Sequence, residues 1–203
     1  KLIQASTRDW VNKFVKPIIE DHFQKEETPP GLIKELAEIG AFGLIMPEQY
    51  GGINADYISF GLMMQELERG DSSIRVVSSI QTSLVMYAIY KFGSQKQRLK
   101  YLPKLSTGEL LGSFGLSEPS FGSNPSAMHT YFREEGDKIV INGSKMWIGN
   151  ATAADIAIVW AKSPSGNVQG IIVETENITN FTTTVIKEKW SFRASKTGEL
   201  VFS

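Results

Sequence analysis

The chain has 203 residues, 41% of them hydrophobic and 21% charged, a globular balance that excludes disordered, collagen-like and coiled-coil classes. Lys plus Arg number 21 against 22 Asp plus Glu, for a formal net charge of −1 with neither sign in a long block, so no general attraction to nucleic acid is built in. Without cysteine there are no disulfides, thiolate metal sites or Cys nucleophile, and with only His22 and His129 a histidine metal site would need both rings plus carboxylates.

From the N-terminus, Ile3, Trp10, Phe14, Val15, Ile18, Ile19 and His22 recur at helical spacing and predict one amphipathic helix ending near the EETPPG turn at 26–31. Pro30 suits the first turn of a second helix with the face Leu32, Ile33, Leu36 and Ile39, which stops at Gly40. Residues 43–52, GLIMPEQYGG, are apolar and then loop-like, and Tyr57, Phe60, Met63, Met64 and Leu67 set a third helix. Residues 74–92 are apolar almost all round and predict a buried central helix. Gly93 ends it, and Ser94 with Gln97 forms a capping box for a short helix carrying Leu99 and Leu102.

After Leu111 the period changes from helical to alternating. Residues 138–141 and 144–148 flank Asn142-Gly143 and predict a hairpin with a type I′ turn, and 156–161, 170–174, 181–187 and 199–202 read as further strands. The expected fold is therefore α+β, an all-helical domain over 1–111 followed by a β-barrel or sandwich domain over 112–203. No apolar run approaches the roughly 18 residues of a membrane span, and no signal peptide is recognisable. The chain opens within a helical pattern at Lys1 and stops within a strand pattern at Ser203, so a piece of a longer protein with a truncated β domain is expected.

Residues 114–123 read FGLSEPSFGS, a short strand entering a loop whose N–H groups and hydroxyls suit phosphate or carbonyl oxygens, although an ordinary polar turn has the same composition. With its continuation this strip, FGLSEPSFGSNPS, and the later INGSKMWIGNATAAD resemble the two flavin-contacting motifs of acyl-CoA dehydrogenases, LTEPxxGSD and GxKxWITN. The helical half resembles the same family in GLIMPEQYGG, QELERGDSSIR and FGSQKQRLKYLPKLSTGELLGSFGLSEP. The likeness covers nearly the whole chain and is closest to the glutaryl-CoA dehydrogenase branch at ELERGDSSIR and KEKWSFRASKTGEL.

The resemblance implies FAD as cofactor. Phe114, Gly115, Leu116, Ser117, Gly122 and Ser123 would line the pyrimidine edge or diphosphate, and Trp147 would pack on the ring with Ile148 and Gly149 beside it. Alone, Trp147 would read as a core aromatic of the hairpin. The implied reaction is α,β-dehydrogenation of a short-chain or dicarboxylic, glutaryl-like acyl-CoA: a glutamate removes the α-proton and the β-carbon hydride passes to flavin N5. That glutamate belongs to the family's C-terminal helical-bundle domain, expected past Ser203, so no catalytic base is assigned and residues 1–203 alone are expected to be inactive, with weak or absent FAD binding. The resemblance further implies an electron-transferring flavoprotein as acceptor, a homotetramer, and a place in the cytoplasm of a bacterium or in the mitochondrial matrix or peroxisome of a eukaryote. Nucleic acid, membrane and metal are not expected partners.

Arg75 opens the apolar stretch, where a charge needs a partner, and Asp71 and Glu68 are the intramolecular candidates. In the glutaryl branch the matching Arg and Glu surround the substrate's distal carboxylate, which makes Glu68 and Arg75 candidate substrate contacts and leaves a structural ion pair as the alternative; Ser123 of the strip is a further candidate substrate contact implied by the resemblance. Val76 stands where that branch has Ser, and Gly149 where the motif has a Thr whose hydroxyl commonly bonds near N5. WIGN also occurs in some short-chain acyl-CoA oxidases, so an oxidase, or a non-catalytic flavin or acyl-CoA binding module, stays open. Ser117 for Thr keeps the hydroxyl, and Asn124 replaces Asp.

Overall fold

In the computed structural model, which describes residues 1–203 except the side chain of Asn177, the helical stripe that begins at Ile3 does not run unbroken. Helix α1 (Leu2–Trp10) passes into a π-helical turn, Val11–Val15, closed by the Lys16 N–H on the Val11 carbonyl at 3.0 Å. The chain then breaks at Pro17, which has no N–H to give, before α2 (Ile19–Lys25). The wider turn inserts an extra residue and rotates the helix beyond it, so Trp10, Val11, Val15 and Ile19 are buried while Phe14 and Ile18 stay 44% and 43% exposed.

Helices α3 (Leu32–Glu38), α4 (Tyr57–Gly70), α5 (Ser72–Ser79), α6 (Tyr87–Phe92) and α7 (Gln95–Ser106) complete the helical part. The predicted central helix is α5, a π-helical stretch Ile80–Met86 and α6 in succession, and it is not apolar all round. Leu84, Tyr87 and Phe92 are exposed, and the buried face carries Ser73, Ser78, Gln81 and Thr82 among Ile74, Val77, Ile80 and Val85. Ser78, Gln81 and Thr82 satisfy carbonyls that a wholly apolar helix would strand, while the Ser73 hydroxyl has no partner among the described residues. Ser78 and Thr82 donate to the Ala41 carbonyl, Thr82 also to Phe42, and the Gln81 amide donates to Leu105 and Leu110 at 2.9 and 2.8 Å. The capping box at Ser94 and Gln97 forms as predicted.

Glu66, 1% exposed, joins α1 to α4. It accepts from Arg8 at 2.6 and 3.0 Å, from Arg69 at 2.8 Å and from Gln4 at 3.2 Å, so it is closed over by its own partners rather than by hydrocarbon. The Arg8 hydrogen bond, with Arg69 assisting against the cost of burial, lowers its pKa to about 2.

The chain divides into two compact units, Lys1–Leu111 with Lys187–Lys196, and Gly112–Ile186 with Thr197–Ser203. Lys187–Lys196, inside the span 112–203 expected for the β domain, pack with the helices. Arg193 pairs with Glu26 at 3.1 Å and donates to the Phe23 carbonyl, while the Thr28 hydroxyl donates to the Ala194 carbonyl.

In the second unit, β1 (Gly112–Gly115) runs parallel to β4 (Ile156–Lys162), whose other edge pairs antiparallel with β5 (Val168–Glu174). From β4 the sheet continues through β2 (Tyr131–Glu135), β3 (Lys138–Ile148), β7 (Gly198–Phe202) and β6 (Phe181–Val185). Phe132, Ile141, Ile148, Val159, Leu200 and Phe202 centre its core.

The hairpin expected at Asn142-Gly143 is absent, because β3 passes straight through that pair. Asn142 is opposite Tyr131 and Gly143 opposite Phe202, so the dipeptide marks where β3 changes partner from β2 to β7. Gly143 is needed for close approach: at φ 138° a Cβ there would stand 2.5 Å from the Thr130 hydroxyl oxygen. The actual turn is Gly136-Asp137, closed by the pair Glu135 and Lys138, with Gly136 at φ 64°.

Candidate functional site

Strand β1 leads into the strip, which folds on itself through reciprocal bonds between Glu118 and Phe121 at 3.1 and 3.2 Å. The Met146 N–H donates to the Ser117 carbonyl at 2.9 Å, which lays the strip beside the segment of β3 that carries Trp147. There β3 is irregular: Lys145 is opposite Leu200 but Ile148 is opposite Gly198, so Met146 and Trp147 together face one residue of β7. This bulge decides where Trp147 points. In an unbroken strand Trp147 would share the inward parity of Ile141 and Lys145, whereas the extra residue sends Ile148 inward instead. Ile148 is 3% exposed and Trp147 58%. The reading of Trp147 as a core aromatic therefore does not hold.

Trp147 has φ 64°, a left-handed backbone that costs a bulky residue about 1–3 kcal/mol. Asn150, at φ 62°, is the second left-handed residue of the motif, and its side-chain amide donates to the Gly112 carbonyl at 3.0 Å, tying the end of the motif to β1. The strip and the Trp147 segment are thus brought together, with a broad ring held outward at their junction.

The other predicted residues of this unit differ in what they can offer. Phe114 is half-buried, edge-on to Trp160 at 5.9 Å between ring centres. Gly115 is buried, Leu116 and Ser117 are half-buried, and Gly122 and Ser123 are exposed on the loop. Ile148 turns its side chain into the core, so only its backbone can meet a ligand, and Gly149 is half-buried beside it. Asn124, exposed, accepts a hydrogen bond from Ser126.

Glu118 and Lys145, which stand at the fixed E and K of the two motifs but carry no role in the sequence reading, form an ion pair at 2.9 Å with side chains 5% and 0% exposed. Glu118 also accepts from the N–H groups of His129 and Thr130 at 2.7 and 2.9 Å, and Lys145 donates to the Leu116 carbonyl at 3.1 Å. Burial pushes the Glu118 carboxyl up, but the Thr130, His129 and Lys145 donors outweigh it and hold the pKa at about 2. Burial lowers the Lys145 ammonium, with Glu118 opposing it. The signal was present in the sequence: a lysine at the inward parity of a strand must have a buried partner.

In the helical unit, Glu68 rather than Asp71 is the partner of Arg75, at 2.7 Å. Asp71 caps α5 by accepting from the Ser73 N–H at 2.7 Å. Glu68 also accepts from the Ser72 hydroxyl, and Arg75 donates to Ser79 at 3.3 Å and lies 5.9 Å from the Phe192 ring centre. Burial raises the Glu68 pKa, but Ser72 and Arg75 together lower it below the ordinary carboxylate range. With exposures of 28% and 45% this is a surface pair, worth about 0–1 kcal/mol, and the guanidinium keeps donors for a further anion. Val76, beside it, is half-buried. Among the described residues, no cluster of His, Asp and Glu could hold a metal ion, and no helix is long and apolar enough to cross a membrane.

This architecture, a helical unit followed by a sheet whose first strand feeds a loop against an outward Trp, has a family counterpart. The chain belongs to the acyl-CoA dehydrogenase family: residues 1–109 match the acyl-CoA dehydrogenase N-terminal domain and residues 113–203 the middle domain. It is 35% identical over 211 residues to glutaryl-CoA dehydrogenase of Desulfococcus multivorans, covering 98% of this chain and 53% of that protein. It is 32% identical to the mitochondrial short-chain specific acyl-CoA dehydrogenase of Rattus norvegicus, covering 100% of this chain and 50% of the relative. Among solved structures, glutaryl-CoA dehydrogenase from Mycobacterium smegmatis in complex with FADH2 superposes with a TM-score of 0.95 at 41% identity, over 99% of this chain and 51% of that one. The chain spans about half the length of the curated relatives it matches.

Proposed function

We propose that the protein is an FAD-dependent acyl-CoA dehydrogenase that oxidises a short-chain or glutaryl-like acyl-CoA thioester between its α and β carbons. The observation that carries this reading is Trp147, whose outward ring is held at φ 64° beside a strip bonded to its own strand. A bulky residue persists at such a backbone only where its surroundings over-determine it, and strain of that kind gathers at ligand sites.

The residues fit a flavin. Trp147 offers a flat apolar face, and the backbone groups of Leu116 and Ser117 with the hydroxyls of Ser117 and Ser123 offer partners for the polar edge of the ring or the diphosphate. Bound FAD supplies the hydride acceptor. Phe114, Gly115, Gly122, Ile148 and Gly149 complete the wall, the last four through backbone alone. Arg75 is the proposed contact for a distal carboxylate, with Glu68 orienting it, and this is the support for a dicarboxylic substrate. Ser123 is the proposed substrate contact of the strip. The base that takes the α-proton is proposed to lie outside residues 1–203. An electron-transferring flavoprotein is the proposed acceptor and a homotetramer the proposed assembly, in the bacterial cytoplasm or in a eukaryotic matrix or peroxisome.

Purified full-length protein should be yellow, and anaerobic addition of glutaryl-CoA or butyryl-CoA should bleach the flavin band. Flavin that no acyl-CoA reduces would refute the dehydrogenase reading. Gly149 favours a second reading, an oxidase, because it brings no hydroxyl to the position where the motif carries threonine. Stoichiometric hydrogen peroxide in air would favour the oxidase, and slow reoxidation by oxygen would exclude it.

A further inference from the structure

Lys145 lies on β3 two residues before Trp147, and its ammonium reaches past the sheet face to the strip. It bonds the strip on both sides of Ser117, at the Leu116 carbonyl and at the Glu118 carboxylate, 3.1 and 2.9 Å away. Ser117 itself takes the Met146 N–H. Glu118 in turn gathers the His129 and Thr130 N–H groups, so the loop between residues 118 and 130 is closed by one carboxylate.

Stability does not by itself account for such a pair. Removing two charges from water costs about as much as their attraction returns, and an apolar pair of similar volume is often as stable. What apolar side chains could not do is bond Leu116 and the two amides, and thereby hold the strip at one distance from the strand that carries Trp147.

We propose that the Lys145–Glu118 pair is a positioning device that fixes the backbone of residues 116–118 against the Trp147 bulge, setting the separation between the two walls of the flavin pocket; its consequence for flavin rests on the proposed dehydrogenase function. Lys145 and Glu118 act through Leu116 and Ser117 and are not themselves ligand contacts.

The test compares full-length wild type with Lys145→Met, Glu118→Gln and the double variant. Each single change leaves a buried group without its partner and should be unstable, whereas the double change removes both charges and should restore most of the thermal stability. In the double variant, amide hydrogen exchange across residues 116–121 and at Met146 should still be faster by about ten-fold or more, with the rest of the sheet unchanged. Its apoprotein should bind FAD at least about ten-fold more weakly than wild-type apoprotein. A double variant with wild-type exchange in the strip, or one whose stability and FAD affinity recover together, would show that the pair serves folding only. If the wild type takes up no FAD, the flavin reading fails, while the exchange comparison still decides whether the pair positions the strip.

Discussion

Trp147 sets a residue-scale conflict between backbone and side chain. Its ring is more than half exposed and its backbone is left-handed, so neither packing nor conformation within the chain rewards it. Trp147→Gly removes the ring and suits the same φ, and apoprotein stability should therefore stay within about 1 kcal/mol of wild type. Trp147→Ala keeps the strain and should be the less stable of the two. Both should weaken FAD binding about ten-fold or more, since a ring stacked on an aromatic contributes beyond its buried area. Thermal denaturation and flavin titration of the apoproteins check this, and unchanged flavin affinity in the glycine variant would remove Trp147 from the site. The identity of this residue was legible in the motif, but its orientation was not. Parity along β3 points it inward, and only the two-for-one pairing between Lys145 and Ile148 turns it out.

Among elements, the Glu66 cluster joining α1 to α4 carries a pH signature. The folded-state pKa, about 2, lies below the ordinary 4.5, so the stabilisation is complete above that ordinary value and is lost as pH falls from 4.5 towards 2. Glu66→Gln should cost about 1–2 kcal/mol near neutral pH, discounted because Arg8 is half-exposed to competing water. The gap between wild type and variant in denaturant titrations should close over the same acid range, and a gap independent of pH would mean the charge is not responsible. No local pattern announces this cluster, because Gln4 and Arg8 on α1 are distant in sequence from Glu66 on α4 and meet it only when the two helices pack. The mistaken hairpin has a related cause. Asn142-Gly143 has the local chemistry of a turn, yet Gly143 serves to let Thr130 approach, a requirement set by the neighbouring strand. The capping box at Ser94 and Gln97 was predicted correctly, since both partners lie within one turn of α7.

At the scale of the whole molecule the proposed flavin contacts, the strip and Trp147, belong to the β unit and the proposed carboxylate contact, the Glu68–Arg75 pair, to the helical unit. If Arg75 receives a distal carboxylate, Arg75→Gln in the full-length protein should lower kcat/KM for glutaryl-CoA about ten-fold or more while leaving butyryl-CoA within about two-fold. Equal losses for both substrates would make the pair structural.

By itself the sequence determined the α+β order of elements, most helix faces, the cap at Ser94 and the membership of residues 114–123 and Trp147 in family motifs. These come from short-range periodicity and from residue types in a fixed order. The tertiary structure alone decided that Trp147 faces outward, that β3 is one strand, that Lys187–Lys196 pack with the helices, and that Lys145 and Glu118 close on each other beneath the strip. Each depends on which distant backbone or charge a residue meets, and hydrophobic patterning along the chain carries no record of that partner.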